Sequence, residues 1–264
     1  MIVLITGATD GLGRALAHRL AADGHSLILH GRDATKLADT AAEIGGETRT
    51  VLADLSELAQ VRKLAADVHG MTDRLDVLVS NAGIGGGLPT GRTRQTSADG
   101  YELRFAVNYL AGFLLTLELL PLLRASAPAR VVNVASIGQH RLDFDDLMIE
   151  HGYSGVRAYG QSKLAQIMSG FELASRVPEV AVNSLHPSTY MPTKMVLEEV
   201  GHSIDTIEEG VAATYRLVVD AEGVTGRFFD RTREARAEGQ AYDAAARREL
   251  WRRSLELVDH PDVD

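Results

Sequence analysis

The sequence predicts an α/β protein: a doubly wound, seven-stranded parallel sheet with helices on both faces. Three observations predict it. Apolar runs of strand length alternate with helical patterns along the whole chain. Those runs are apolar at nearly every position, as strands covered on both faces must be. A glycine-rich turn, "ITGATDGLGRAL" at residues 5–16, lies between the first apolar run and the first helical one. Residues 1–264 contain no linker, low-complexity segment or shift in composition and read as a single domain, large enough to bury roughly 75% of its unfolded surface.

The elements follow in order. "MIVLIT" (1–6) is a strand, with the helix "LGRALAHRLAADG" after it. "SLILHG" (26–31) precedes "DATKLADTAAEIG", and "TRTVLAD" (48–54) precedes "SELAQVRKLAADVHG". "LDVLVSN" (75–81) leads through a glycine-rich loop to a long helix from about Ser97 to Arg124. "RVVNVAS" (130–136) is followed by a loop and a helix from about Val156 to Arg176. "VAVNSLH" (180–186) is followed by a loop and a helix near Ile207 to Asp220, "GRFFD" (226–230) is the last strand, and the tail from Arg231 is helical and charged. Long loops at 82–97, 137–155 and 187–205 leave the carboxyl ends of strands, where open α/β sheets bind ligands. They are the expected substrate loops.

The most membrane-like stretch, Leu110 to Ala125, is too short to span comfortably and is broken by Glu118 and Pro121. It is expected to be a buried helix, with no membrane span. A formal charge of −9 argues against nucleic acid and anionic lipid as partners. The chain has no cysteine, which excludes disulfides, thiolate zinc sites and a cysteine nucleophile. "MIVLITG" has neither a basic n-region nor a small-residue cleavage site, so a cytoplasmic location is expected. His140 and His186 flank the expected pocket without metal-ligand spacing, and no metal is expected.

The glycines of the turn have physical tasks. A side chain at Gly7 would block the sharp exit from the strand. One at Gly11 would hold the backbone away from a phosphate, and one at Gly13 would push the helix off the sheet. The helix then aims free N–H groups and its positive dipole end at an anion. The second strand ends "LHGRD". Arg32 supplies a guanidinium for the 2′-phosphate of NADP, and Asp33 reads as the N-cap of the next helix. An Asp33 turned to the ribose would favour NAD instead.

"YGQSK" places Tyr159 and Lys163 four residues apart, on one helix face. Only about one tyrosine hydroxyl in a thousand is ionised at neutral pH, and lowering its pKa by about three units requires roughly 4 kcal/mol. A nearby ammonium favours the phenolate, so Tyr159 is a candidate proton donor and acceptor. Ser136 ends the strand "RVVNVAS", where a hydroxyl can bind the same substrate oxygen. Asn108 interrupts an apolar helix face and must be hydrogen-bonded if buried. Its roles are a water relay to Lys163 or a helix-packing contact.

Together these motifs resemble the short-chain dehydrogenase/reductase family over essentially the whole chain. "TGATDGLG" is similar to its T-G-x₃-G-x-G, "SNAG" to its N-A-G, and Asn108, Ser136, Tyr159 and Lys163 to its catalytic tetrad in order. The longer loop between Ser136 and Tyr159, "YGQSKLAQ" and "NSLHP" resemble the retinol-dehydrogenase-like subgroup. The resemblance implies a Rossmann sheet in the order 3-2-1-4-5-6-7 and hydride transfer between a nicotinamide, NADP or NAD, and an alcohol or ketone. It implies cofactor contacts from Thr6, Gly7, Gly11, Leu12, Gly13, Asp54, Leu55, Asn81, Ala82, Gly83, Tyr159, Lys163 and Pro187, besides Arg32. The family threonine after strand six is displaced here, leaving Thr189 or Thr193 for the carboxamide, with Thr189 favoured. The apolar loop holding Tyr190, Met191 and Met195 suits a lipophilic substrate. The helix around Leu110 to Leu123 and the helix bearing Tyr159 are expected to pair between copies in a homodimer or homotetramer. The alternative class is a non-catalytic dinucleotide-binding sensor or scaffold, which would be expected to lack Tyr159 or Lys163.

Overall fold

A computed structural model describes residues 1–87, 93–220 and 223–263. The expected loop 82–97 therefore lies partly outside the described residues, at 88–92. The first half alternates β1 (Ile2–Ile5), α1 (Gly11–Ala22), β2 (Ser26–Gly31), α2 (Ala34–Ile44), β3 (Thr48–Leu52), α3 (Leu58–Met71) and β4 (Val77–Ser80). Further along come α4 (Leu103–Phe105), a π turn (Ala106–Leu110), α5 (Ala111–Ala125), β5 (Ala129–Val134), α6 (Gly155–Arg176) and β6 (Val180–His186). The chain closes with α7 (Lys194–Glu199), α8 (Ile207–Val219), β7 (Arg227–Asp230), β8 (Arg233–Ala235), a short 3-10 turn (Gly239–Tyr242) and α9 (Ala244–Val258).

The sheet order is β3-β2-β1-β4-β5-β6-β7-β8. Strands β1 to β7 are parallel, in the expected order. The strand count is corrected by one. β8 runs antiparallel to β7, pairing Phe228 with Ala235, Phe229 with Glu234 and Asp230 with Arg233. The tail from Arg231 therefore begins as an edge strand, not a helix. The chain reverses through Arg231 in the left-handed region (φ 55°). Three residues, two of them charged, carry no hydrophobic alternation by which such a strand could be recognised.

Two apolar layers sandwich the sheet. One packs Leu12, Leu16 and Leu20 of α1 with Leu217 of α8 against Val3, Ile5, Val77 and Val79. The other joins α3, α5, α6 and α9 against Leu4, Leu78, Val131 and Val182. The strands' uniform apolar character follows from this burial on both faces.

The long helix starts at Leu103, not Ser97. Glu102, fully buried, accepts from Phe105 N at 2.7 Å and caps it. Among the described residues, the span Leu103–Ala125 is long and apolar enough to cross a membrane, yet its 18-residue apolar stretch is 78% buried inside the fold. α3 packs along this span, and α9 packs on α6 and touches the span through single side chains. Trp251 meets Phe113 edge to face at 5.0 Å, and Arg176 stacks on the Trp251 ring at 4.8 Å. Tyr109 Oη and Ser254 Oγ share a hydrogen bond of 2.6 Å. These α9 side chains thus reach both helices expected to pair between copies.

Candidate active site

The site lies at the carboxyl ends of β1, β4, β5 and β6, where strand order reverses between β1 and β4. Gly7 leaves β1 with φ +66°. A Cβ on Gly13 would stand 2.6 Å from Asn81 Nδ2 and closer still to the Gly7 carbonyl. Gly13 is therefore the glycine that lets α1 close on the turn. Asp10 is the N-cap of α1 and accepts from Gly11 N at 2.7 Å. Thr6 Oγ1 accepts from Asn81 N at 2.9 Å and from Ala82 N at 3.0 Å. Asn81 Nδ2 donates back to the Thr6 and Gly7 carbonyls at 2.9 and 3.1 Å. Thr6 and Asn81 thus tie the two strand ends into one cradle. Leu12 and Leu55 are buried beside it.

A residue the sequence reading passed over braces this cradle. His30, buried at the end of β2, accepts from Gly7 N through Nδ1 at 3.2 Å, while Nε2 faces the Ala53 carbonyl at 3.1 Å. Those partners assign the proton to Nε2, and burial holds the ring's pKa below its ordinary value. No motif names it; the only signal was a polar residue inside an apolar strand. Arg32 is exposed just beyond. Asp33 accepts from Lys36 N at 3.1 Å and caps α2, as expected. Burial opposes ionisation of Asp54, but hydrogen bonds from Ser56 and the charge of Arg32 hold its carboxyl below the usual range.

The four tetrad candidates converge. The Ser136 hydroxyl lies beside the Tyr159 phenol and favours its ionised form, and Ser136 Oγ accepts from Gly138 N at 3.0 Å. Lys163, 5% exposed, donates to the Val134 carbonyl at 2.8 Å, and its Nζ stands 5.9 Å from the centre of the Tyr159 ring. Burial pushes the Lys163 ammonium down to about 8. The Tyr159 phenol also departs from the sequence expectation. Burial raises its pKa, against the pull of the Ser136 hydroxyl, and Glu199 and Tyr190 add to the rise.

Asn108 sits within the π turn and clamps the loop after β4. Its Oδ1 accepts from Ile84 N at 2.8 Å, and its Nδ2 donates to the Ile84 carbonyl and to Ser162 Oγ, both at 3.0 Å. Ser162 Oγ donates in turn to the Tyr159 carbonyl at 2.7 Å. Gly83 is drawn in so closely that a Cβ there would meet Asn108 Oδ1 at 3.3 Å and Lys163 Nζ at 3.5 Å. The π turn reorients this polar side chain in an otherwise apolar helix, as such turns do at functional sites.

The loop after β6 folds over the cleft. Pro187 is buried. Thr189 Oγ1 is bonded to His186 Nε2 at 3.0 Å, and Thr189 N donates to Asp205 at 2.7 Å. Thr193, not Thr189, lies on the glycine turn: a Cβ at Gly11 would meet its methyl at 2.9 Å. His140 is exposed beside Gly160, and no metal-holding cluster occurs among the described residues.

A glycine cradle at a helix N-terminus, a carboxylate near the expected adenosine position and a hydroxyl pair beside an ammonium fit a nicotinamide dinucleotide. The comparisons agree. Residues 1–202 match the family model of the short chain dehydrogenases. The chain belongs to this family and is an NAD(P)-dependent oxidoreductase with retinol-dehydrogenase-like relatives. Retinol dehydrogenase 13 of Mus musculus is 34% identical over 288 residues, covering 97% of this chain and 83% of that protein. Polyprenol dehydrogenase of Mus musculus is 34% identical over 284 residues, with the same two coverages of 97% and 83%. The Pseudomonas aeruginosa RhlG/NADP active-site complex superposes with a TM-score of 0.73 at 29% identity, covering 87% of this chain and 93% of its own.

Proposed function

We propose that the protein interconverts a lipophilic alcohol and its carbonyl compound, preferring NADP, with Tyr159 as general acid/base. The observation that carries this is the convergence of the Ser136 hydroxyl, the Tyr159 phenol and the buried ammonium of Lys163, whose Nζ stands 5.9 Å from the Tyr159 ring centre. The nicotinamide supplies or accepts the hydride. Ser136 and Tyr159 orient the reacting oxygen. The raised phenol is protonated at neutral pH, ready to give its proton to a carbonyl oxygen. Lys163, cationic below about 8, stabilises the phenolate left behind. Asn108, through Ile84 and Ser162, fixes the loop and helix that hold these groups.

The exposed guanidinium of Arg32 supports NADP, since Asp33 is engaged as a helix cap. The lipophilic reading is supported by Ile137, Val156, Tyr190 and Leu197, large apolar side chains left exposed on the segments around the cleft. The location proposed is the cytoplasm. A panel of ketones and alcohols, read by NADPH or NADP⁺ absorbance, tests the activity. Tyr159→Phe is expected to keep cofactor affinity within about threefold while turnover falls about 10²–10⁴-fold; full activity in that variant refutes the assignment.

A further inference from the structure

Helix α7 lies across the cleft with its two neighbouring acids turned opposite ways. Glu198 is exposed and pairs with Lys194 at 3.7 Å. Glu199 points inward: Oε1 accepts from Gly87 N at 2.7 Å and Oε2 from Gly86 N at 3.1 Å. The approach is so close that a Cβ at Gly85 would stand 2.5 Å from the Glu199 carboxyl carbon. The loop receiving Glu199 is held from below by a buried charged network. Arg104 Nε donates to the Gly85 carbonyl at 2.7 Å, and Arg104 Nη1 donates to Tyr153 Oη at 2.8 Å. Tyr153 Oη in turn donates to buried Glu102 at 2.9 Å.

This loop also borders the reacting groups. Its start, Gly83, faces Lys163 Nζ. Its Gly86 abuts Val156, one helical turn before Tyr159: a Cβ on Gly86 would meet Val156 Cα at 3.4 Å. Glu199 therefore places a carboxylate on the cleft wall near the catalytic phenol. Its partners there are neutral N–H groups, and no described Lys, Arg or His forms an ion pair with it.

We infer that Glu199 sets the charge selectivity of the substrate cleft: its inward carboxylate admits uncharged and cationic carbonyl compounds and turns away those with a carboxylate near the carbonyl. The inference rests on the proposed carbonyl chemistry and names the substrate class of that site. The physical cause is repulsion between like charges in a partly desolvated cleft. Two backbone donors ease the burial of Glu199 without cancelling its field.

The test uses three para-substituted acetophenones of similar size, carrying a methyl, a carboxylate or a trimethylammonium group. Dissociation constants on the NADPH-loaded protein and kcat/KM are both measured. The unmodified protein is expected to favour the methyl compound over the carboxylate at least about tenfold. Glu199→Gln and Glu199→Ser should shrink that ratio about tenfold, while Glu199→Asp and Glu198→Gln leave it in place. An unchanged ratio in both neutral variants overturns the role of Glu199, and the oxidoreductase reading stands as long as the methyl ketone is reduced. A ratio that moves in binding, with no ketone reduced, keeps the charge assignment and removes the carbonyl chemistry. Failure of all three compounds to bind overturns the inference.

Discussion

At the scale of single residues, Tyr159 and Lys163 set the pH response. Folding raises the phenol and lowers the ammonium to about 8, burial being the first cause of each. As pH rises through about 8, Lys163 loses its proton before Tyr159 does. The phenolate then forms without its cation. Carbonyl reduction, followed as kcat/KM, should therefore be flat between roughly pH 6 and 7.5 and fall above about 8. A profile rising through that range would contradict the assignment. Arg32→Ala should weaken NADPH binding about tenfold or more and NADH binding by less than twofold, as titration would show. These residues were legible because family motifs fix their spacing. His30, Ser162, Arg104 and Glu199 were not, because each acts through a fold contact between residues distant in sequence.

At the scale of elements, apolar runs and helical periodicity predict the strands and most helices, and the family resemblance supplies their order in the sheet. The sequence misses the π turn at Ala106–Leu110, since one extra residue per turn leaves no mark in a helix apolar all round. It misses β8 because its pairing is made by tertiary contact. The π turn matters because it aims Asn108. Asn108→Leu strands the Ile84 N–H and carbonyl and should cost about 1–3 kcal/mol of stability. It should also lower kcat at saturating cofactor; a change in melting temperature without one would confine Asn108 to packing.

For the whole molecule, α9 packs on α6 and reaches α5, the two helices expected to pair between copies. Trp251, with its indole N–H donating to Asp262 at 2.7 Å, closes the face of α5 and α6. Light scattering at micromolar protein should return a mass near the 28.5 kDa of one chain. A tetramer mass would show that α9 yields its place. Trp251→Ala should cost about 3–5 kcal/mol, read by denaturant unfolding.

The buried imidazole that links three strand ends makes the molecule sensitive to acid. His30 binds a proton less readily folded than its ordinary value of 6.5 allows. Unfolded chains therefore take up protons that folded ones refuse. This contribution is complete above about 6.5 and drains away as the medium is acidified below it. Because the same nitrogen that would be protonated accepts from Gly7 N, acidification should loosen the nucleotide cradle before it melts the sheet. His30→Asn should remove about one proton from the acid-side slope of unfolding free energy; an unaltered slope would mean the ring titrates equally in both states.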